Sequence, residues 1–185
     1  MTNKRNALCH GLLALLLLQA GLAGAAALDT AKSSIGATFR QLGVDVDVAF
    51  RRFSGQITFD PANPAAANAQ LTLNPASFDM GDPAYNKEVQ KPEWFDSAQF
   101  PQATFVSTSI QAAASGKLRA QGKLTIKGRT LDVVVPIVFR QEGKTQVFEG
   151  VLPIRRTDFN IGGDDWKDVL DDTVTIRFKA VTLAQ

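Results

Sequence analysis

From residue 30 onward the dominant period of the chain is two. In Thr173–Leu183, Val174, Ile176 and Phe178 alternate with Thr175, Arg177 and Lys179, so an extended backbone places the apolar groups on one face. Ile35, Ala37 and Phe39 alternate in the same way. Gln56–Phe59 and Gln70–Leu73 do so too, and they stop at Asp60-Pro61 and Asn74-Pro75. Further runs of strand composition cover 103–112, 117–127, 131–140 and 147–154, with turns at Ser115-Gly116, Lys127-Gly128 and Glu142-Gly143. Strands joined by turns this short have no room for crossover helices, which predicts antiparallel neighbours. With 49–59 taken as one strand the count is about eight. That number closes a small up-and-down barrel whose interior is filled by side chains or holds one ligand. The expected fold class is all-β, an eight-stranded antiparallel barrel.

One segment departs from the period. Asp82 supplies an N-cap and Pro83 a first helical residue, and Pro92 is the stop, which predicts a helix over 82–91. Trp94 and Phe95 follow directly. Two large rings after a short polar helix predict a lid, spanning 82–97, whose aromatic end is buried on the barrel.

The N-terminal part reads as a cleaved signal peptide, residues 1–27. Lys4 and Arg5 precede an apolar run from Leu8 to Leu18, then small residues from Gly21 to Ala27, then Asp29. The run is too short to span a membrane, and cleavage is expected after Ala27, with Ala25 the near-equal alternative. Localisation is expected to be periplasmic or secreted. Residues 28–185 then form one domain: 27 removed from 185 leaves 158, enough for a sizeable core. The whole chain has 20 basic and 18 acidic residues. Lys4 and Arg5 leave with the leader, so the domain carries 18 of each. A neutral domain lacks the basic footprint of a nucleic-acid partner. No later segment is apolar for long enough to be a transmembrane helix.

Cys9 and His10 are the only thiol and the only imidazole of the chain, and both lie in the leader. The domain therefore lacks the groups for Ser-His-Asp or Cys-His nucleophilic systems, structural zinc, redox pairs and disulfides. No catalytic residue, metal or cofactor is expected, and the chain is read as a non-enzyme.

The run Glu93–Thr108 resembles the central signature of the YceI-like family. Gly122–Gly128 is similar to that family's next block, and Arg156–Gly162 to its late Arg-x-Asp-Phe-Gly motif. Ser33–Ile35 and Phe53–Asp60 match its first hairpin. The blocks occur in order across the domain. The resemblance implies a periplasmic or secreted lipocalin-like barrel with an elongated apolar cavity for an isoprenoid lipid or quinone-like amphiphile. It also implies altered head-group chemistry here, because Lys32 and Gln41 stand where relatives often carry histidine. Asn160 replaces a commoner glycine, and Asp164–Asp168 form an added acidic-aromatic loop.

Alternation alone cannot distinguish a solid core from a lined cavity. With the resemblance, Phe39, Ile57, Leu71, Trp94, Phe95, Phe105, Leu124, Ile137, Phe159 and Phe178 are the expected ligand-binding walls. Arg156 and Asp158, two apart on a strand, share a face. They form either a structural ion pair at the barrel mouth or a head-group contact through Arg156. Asp164, Asp165, Asp168, Asp171 and Asp172 lack EF-hand spacing and read as a solvated loop. Two other functions stay open. One is a secreted hydrolase or isomerase using Asp, Lys or Tyr; the other is a stress-response module that binds a protein. The oligomeric state is also open, a homodimer among the alternatives.

Overall fold

Eleven strands join a single antiparallel sheet in the computed structural model, which describes residues 24–114 and 116–184. They are β1 (Ala26–Ala27), β2 (Ser34–Gln41), β3 (Val44–Phe50), β4 (Phe53–Thr58), β5 (Asn68–Leu73), β6 (Phe78–Asp79), β7 (Ala103–Ala114), β8 (Lys117–Ile126), β9 (Arg129–Glu142), β10 (Thr145–Arg155) and β11 (Thr173–Leu183). The spatial order is β1-β4-β5-β7-β8-β9-β10-β11-β2-β3-β6. The expected leader, with Cys9 and His10, lies outside the described residues as far as residue 23. Of the two expected cleavage positions, only the one after Ala25 leaves β1 on the chain.

The strand count differs from eight for a local reason. β1 and β6 have two residues each, and the run 49–59 is broken at Arg51-Arg52. Phe50 and Phe53 are an odd number of residues apart, so a continuous pleat would point them to opposite faces. The break resets the phase. Its polar groups are taken up by the following turn: Arg51 N–H donates to Ser77 O at 3.0 Å and Arg52 N–H to Ser77 Oγ at 2.9 Å. Setting the two short strands aside and counting β3 with β4 as one bent strand recovers eight.

That bend also curls the sheet. β3 and β4 lie near opposite edges of the strand order yet are consecutive in the chain, so the two edges must approach. The stretch after β1 ties the seam: Leu28 N–H donates to Gly55 O at 3.0 Å on β4, and Asp29 N–H to Val181 O at 2.8 Å on β11. Along β8 every second residue is buried, the pattern of a wall with one dry face. The core falls into two clusters. One gathers around Phe148, Leu152 and Ala180; the other joins Ala37, Val48 and Phe78, with Phe95 packed against both.

The helix α1 runs Pro83–Glu88, shorter at its end than the 82–91 expected. Asp82 caps it as the sequence predicts, its Oδ1 accepting from Ala84 N–H at 2.7 Å and Tyr85 N–H at 3.3 Å. Asp79 fastens α1 to the bend. Its carboxylate accepts from Gly81 N–H (2.9 Å), Asn86 Nδ2 (3.0 Å) and Arg51 (2.8 Å). Those donors, Gly81 first, hold its pKa at about 2 instead of the usual 3.8. A carboxylate depressed in the folded state stabilises fully above its unfolded pKa and loses that contribution as pH falls through the folded one. Protection from hydrogen exchange over 80–88, corrected for the intrinsic rate that itself slows in acid, is therefore expected to fall between pH 4 and pH 2. Asp79→Asn is expected to show low protection there already at neutral pH, with no further loss in that window.

Candidate functional site

The inward faces of the strands do not fill the barrel. They enclose a cavity of about 240 Å³ whose surface is almost wholly carbon. An apolar cavity of about 150 Å³ already stays dry and holds an aromatic guest. The opening follows from residue size. An eight-stranded barrel is just wide enough for ordinary side chains to fill it, and here Ala37, Ala69, Ala103, Ala120 and Ala180 occupy wall positions. Phe59, Phe139 and Phe148 pack at centroid distances of 4.7 to 5.3 Å where β4 and β9 end and β10 begins. Towards the lid, Phe50, Phe78 and Phe95 pack at 5.9 to 6.1 Å.

Phe39, Ile57, Leu71, Trp94, Phe95, Phe105, Leu124, Ile137 and Phe178 all line this lumen, and so does Arg156. Phe159 does not. It is 1% exposed, packed in the larger cluster beside Leu131 and Val133, behind a surface recess. The spacing of Arg156 and Asp158 predicts a strand there, whereas Arg156–Phe159 is a 3-10 turn after β10. Period two stops at Arg155. Small wall residues such as Ala120 and the lid residue Val89 also line the lumen and were not singled out. For Ala120 the sequence carries the signal: alanine at alternate positions where a filled barrel would carry a large residue.

Arg156 and Asp158 do not form the expected ion pair. Arg156 is 4% exposed, and among the described residues it has no ion-pair partner. Its guanidinium donates to four carbonyls: Asp171 O from Nε at 3.2 Å, Ile161 O and Gly162 O from Nη1 at 2.9 and 2.6 Å, and Leu170 O from Nη2 at 3.3 Å. The cation is solvated by backbone dipoles and pins the 161–171 loop to the barrel end. The neighbouring Arg155 makes the ion pair, reaching Asp172 at 2.7 Å. Burial pushes the Asp172 carboxyl up, but the bonds from Arg155 and Thr157 outweigh it and hold the group at about 2.

The acidic-aromatic loop holds the lid. Trp166 packs on Trp94 at 4.8 Å and donates from Nε1 to Glu93 Oε1 at 2.6 Å. Gly162 N–H donates to Glu93 O at 2.9 Å. Gly162 has a φ of 60°, and a Cβ there would sit 2.8 Å from the Trp94 ring, so both conformation and space require glycine. Among the described residues, no group of Asp, Glu, His or Cys is placed to hold a metal. Lys32 is exposed and pairs with Asp29 at 3.3 Å. Gln41 bridges to Leu170 at the far end of β2. Neither lines the lumen, so they do not form one polar end. Among the described residues, no helix is long and apolar enough to cross a membrane.

Comparison with known proteins adds the following. The profile of the YceI-like domain matches residues 27–182. The crystal structure of BcnA from Burkholderia cenocepacia superposes with a TM-score of 0.82 at 46% identity, covering 84% of this chain and 99% of that one. Protein YceI of Salmonella arizonae is 35% identical over 121 residues, 62% of this chain. The chain spans 63% of the length of that relative. A polyisoprenoid binding domain from Saccharophagus degradans, implicated in plant cell wall breakdown, shares the fold with a TM-score of 0.68. It is 18% identical, and the match covers 88% of this chain and all 100% of that one.

Proposed function

We propose that this chain, which belongs to the YceI-like family, is an exported carrier that sequesters a polyisoprenoid or similar long amphiphile in its barrel. The observation that carries the reading is the open, carbon-lined lumen. The ligand class named for the Saccharophagus domain of the same fold supports it. Export rests on the leader pattern, and the compartment is the periplasm or the exterior.

The mechanism is desolvation. Each methylene moved from water into the lumen contributes roughly 0.8 kcal/mol, so about ten contribute on the order of 8 kcal/mol. That is comparable to the several kcal/mol lost on association, without any polar contact to the chain. Affinity should therefore follow the length of the apolar tail, and the head group stays outside the carbon-lined volume. A hydrolase or isomerase would need Asp, Lys or Tyr at this site. None of the described lining residues is one of these, and Tyr85 is 53% exposed on α1.

Native mass spectrometry of gently purified protein is expected to show a co-purifying lipid. An isoprenoid quinone should quench tryptophan fluorescence, with Trp94→Phe removing most of the quench because Trp94, unlike Trp166, lines the lumen. Protein that carries no lipid and shows no quenching overturns the proposal.

A further inference from the structure

Glycines face the lumen from the interiors of three strands: Gly55 on β4, Gly122 on β8 and Gly150 on β10. Each is two residues from a lumen-lining neighbour, Ile57, Leu124 and Leu152 respectively. A strand-interior glycine weakens the strand and calls for a reason. Backbone conformation is not that reason, since none of the three has a positive φ. Space is. A Cβ would lie 2.5 Å from Leu71 Cδ2 at Gly55, 2.6 Å from Phe105 Cε2 at Gly122, and 2.5 Å from both Phe178 Cε1 and Cζ at Gly150. A large side chain from an adjacent strand occupies the space that a Cβ on each glycine would need. Leu71, Phe105 and Phe178 line the lumen in their place.

The relief is spread along the bore. On the shared neighbour β9, Gly122 pairs with Val133 and Gly150 with Ile137. These positions are four residues apart, roughly 13 Å along the strand. A tunnel for an unbranched chain needs the width of one methylene all the way. A chain with regular methyl branches needs extra width at intervals.

We propose that Gly122 and Gly150 are specificity-determining residues. By leaving Phe105 and Phe178 room against the wall, they widen the lumen enough to admit a methyl-branched isoprenoid chain in preference to a straight one. This rests on the carrier reading and names the substrate feature that reading leaves open.

Gly150 is the better probe, because a Cβ there would meet the nearest backbone oxygen, that of Pro136, at 2.9 Å, whereas at Gly122 it would meet that of Val106 at 2.6 Å. Native mass spectrometry of the full protein would compare geranylgeraniol with hexadecanol, whose main chains have the same length. In Gly150→Ala the added methyl lifts the Phe178 ring into the bore. Preference for the branched alcohol is expected to fall by about tenfold or more, the scale set by a misfitted methylene in an apolar pocket. The double variant Gly150→Ala/Phe178→Leu should regain the preference, because the shorter side chain returns the space. Phe178→Leu alone, should Gly150→Ala not fold, is expected to raise the preference above wild type. An unchanged preference in folded single variants overturns the bore inference alone. Failure of the wild-type protein to bind either alcohol overturns the carrier reading and the bore inference with it.

Discussion

Arg156→Met is expected to destabilise the protein by about 3 kcal/mol, because each buried acceptor left without its donor costs about 1–3 kcal/mol. The residue is almost fully buried, and its guanidinium is the hydrogen-bond donor for the carbonyls of Ile161, Gly162, Leu170 and Asp171. Each charged hydrogen bond contributes on the order of 1.5–3 kcal/mol. The four are coupled through one group and do not add. Methionine fills similar volume without donating, so it isolates the polar loss from a packing loss. The 161–171 loop should lose hydrogen-exchange protection first. The lid should follow, since Trp94 rests on Gly162 and Trp166 from that segment. Arg156→Lys should recover little, because one ammonium with three donors cannot span four carbonyls. Urea unfolding and exchange mass spectrometry check all of this. A variant that kept wild-type stability and lost only lipid binding would favour the head-group role for Arg156.

The same residue shows where the sequence stops being legible. Arg156 and Asp158 look like a strand pair because Thr145–Arg155 is a strand and nothing local announces its end. The turn at 156–159 is set by carbonyls up to sixteen residues away, with Arg156 N–H donating to Asp172 O at 2.8 Å, which period two does not encode. Phe159 is misplaced for the same cause. Where tertiary context adds nothing, the reading holds: β11 begins and ends at Thr173 and Leu183 as the alternation indicates, and Asp82 caps α1. The break at Arg51-Arg52 was visible in the odd spacing of Phe50 and Phe53. The lumen is the subtler case. Alternation marks an inward face, and whether that face is filled depends on residue volume summed around the barrel. Ala120 and Gly150 carry that information only when the strands beside them are known.

Filling the lumen is expected to abolish binding without unfolding the protein. Ala120 is 1% exposed on β8, opposite Ile110 on β7 and Val135 on β9, and its methyl group faces the cavity. Ala120→Leu adds three carbons to a volume now empty. Overpacking a dense core costs about 1–3 kcal/mol, but a leucine that enters an open apolar space meets no such resistance. Unfilled volume itself lowers stability by roughly 24 cal/mol per Å³, so filling it should leave stability unchanged or raise it by about 1 kcal/mol. Ligand affinity should fall by an order of magnitude or more, since the same volume cannot hold both leucine and lipid. The two observables then separate the possible natures of the site. Stability gained with binding lost identifies a lumen kept empty for a ligand, at the expense of the fold. Stability gained with binding intact places the ligand elsewhere. Stability lost by about 2 kcal/mol or more, read from urea unfolding, means the wall closes in solution and the barrel is packed after all.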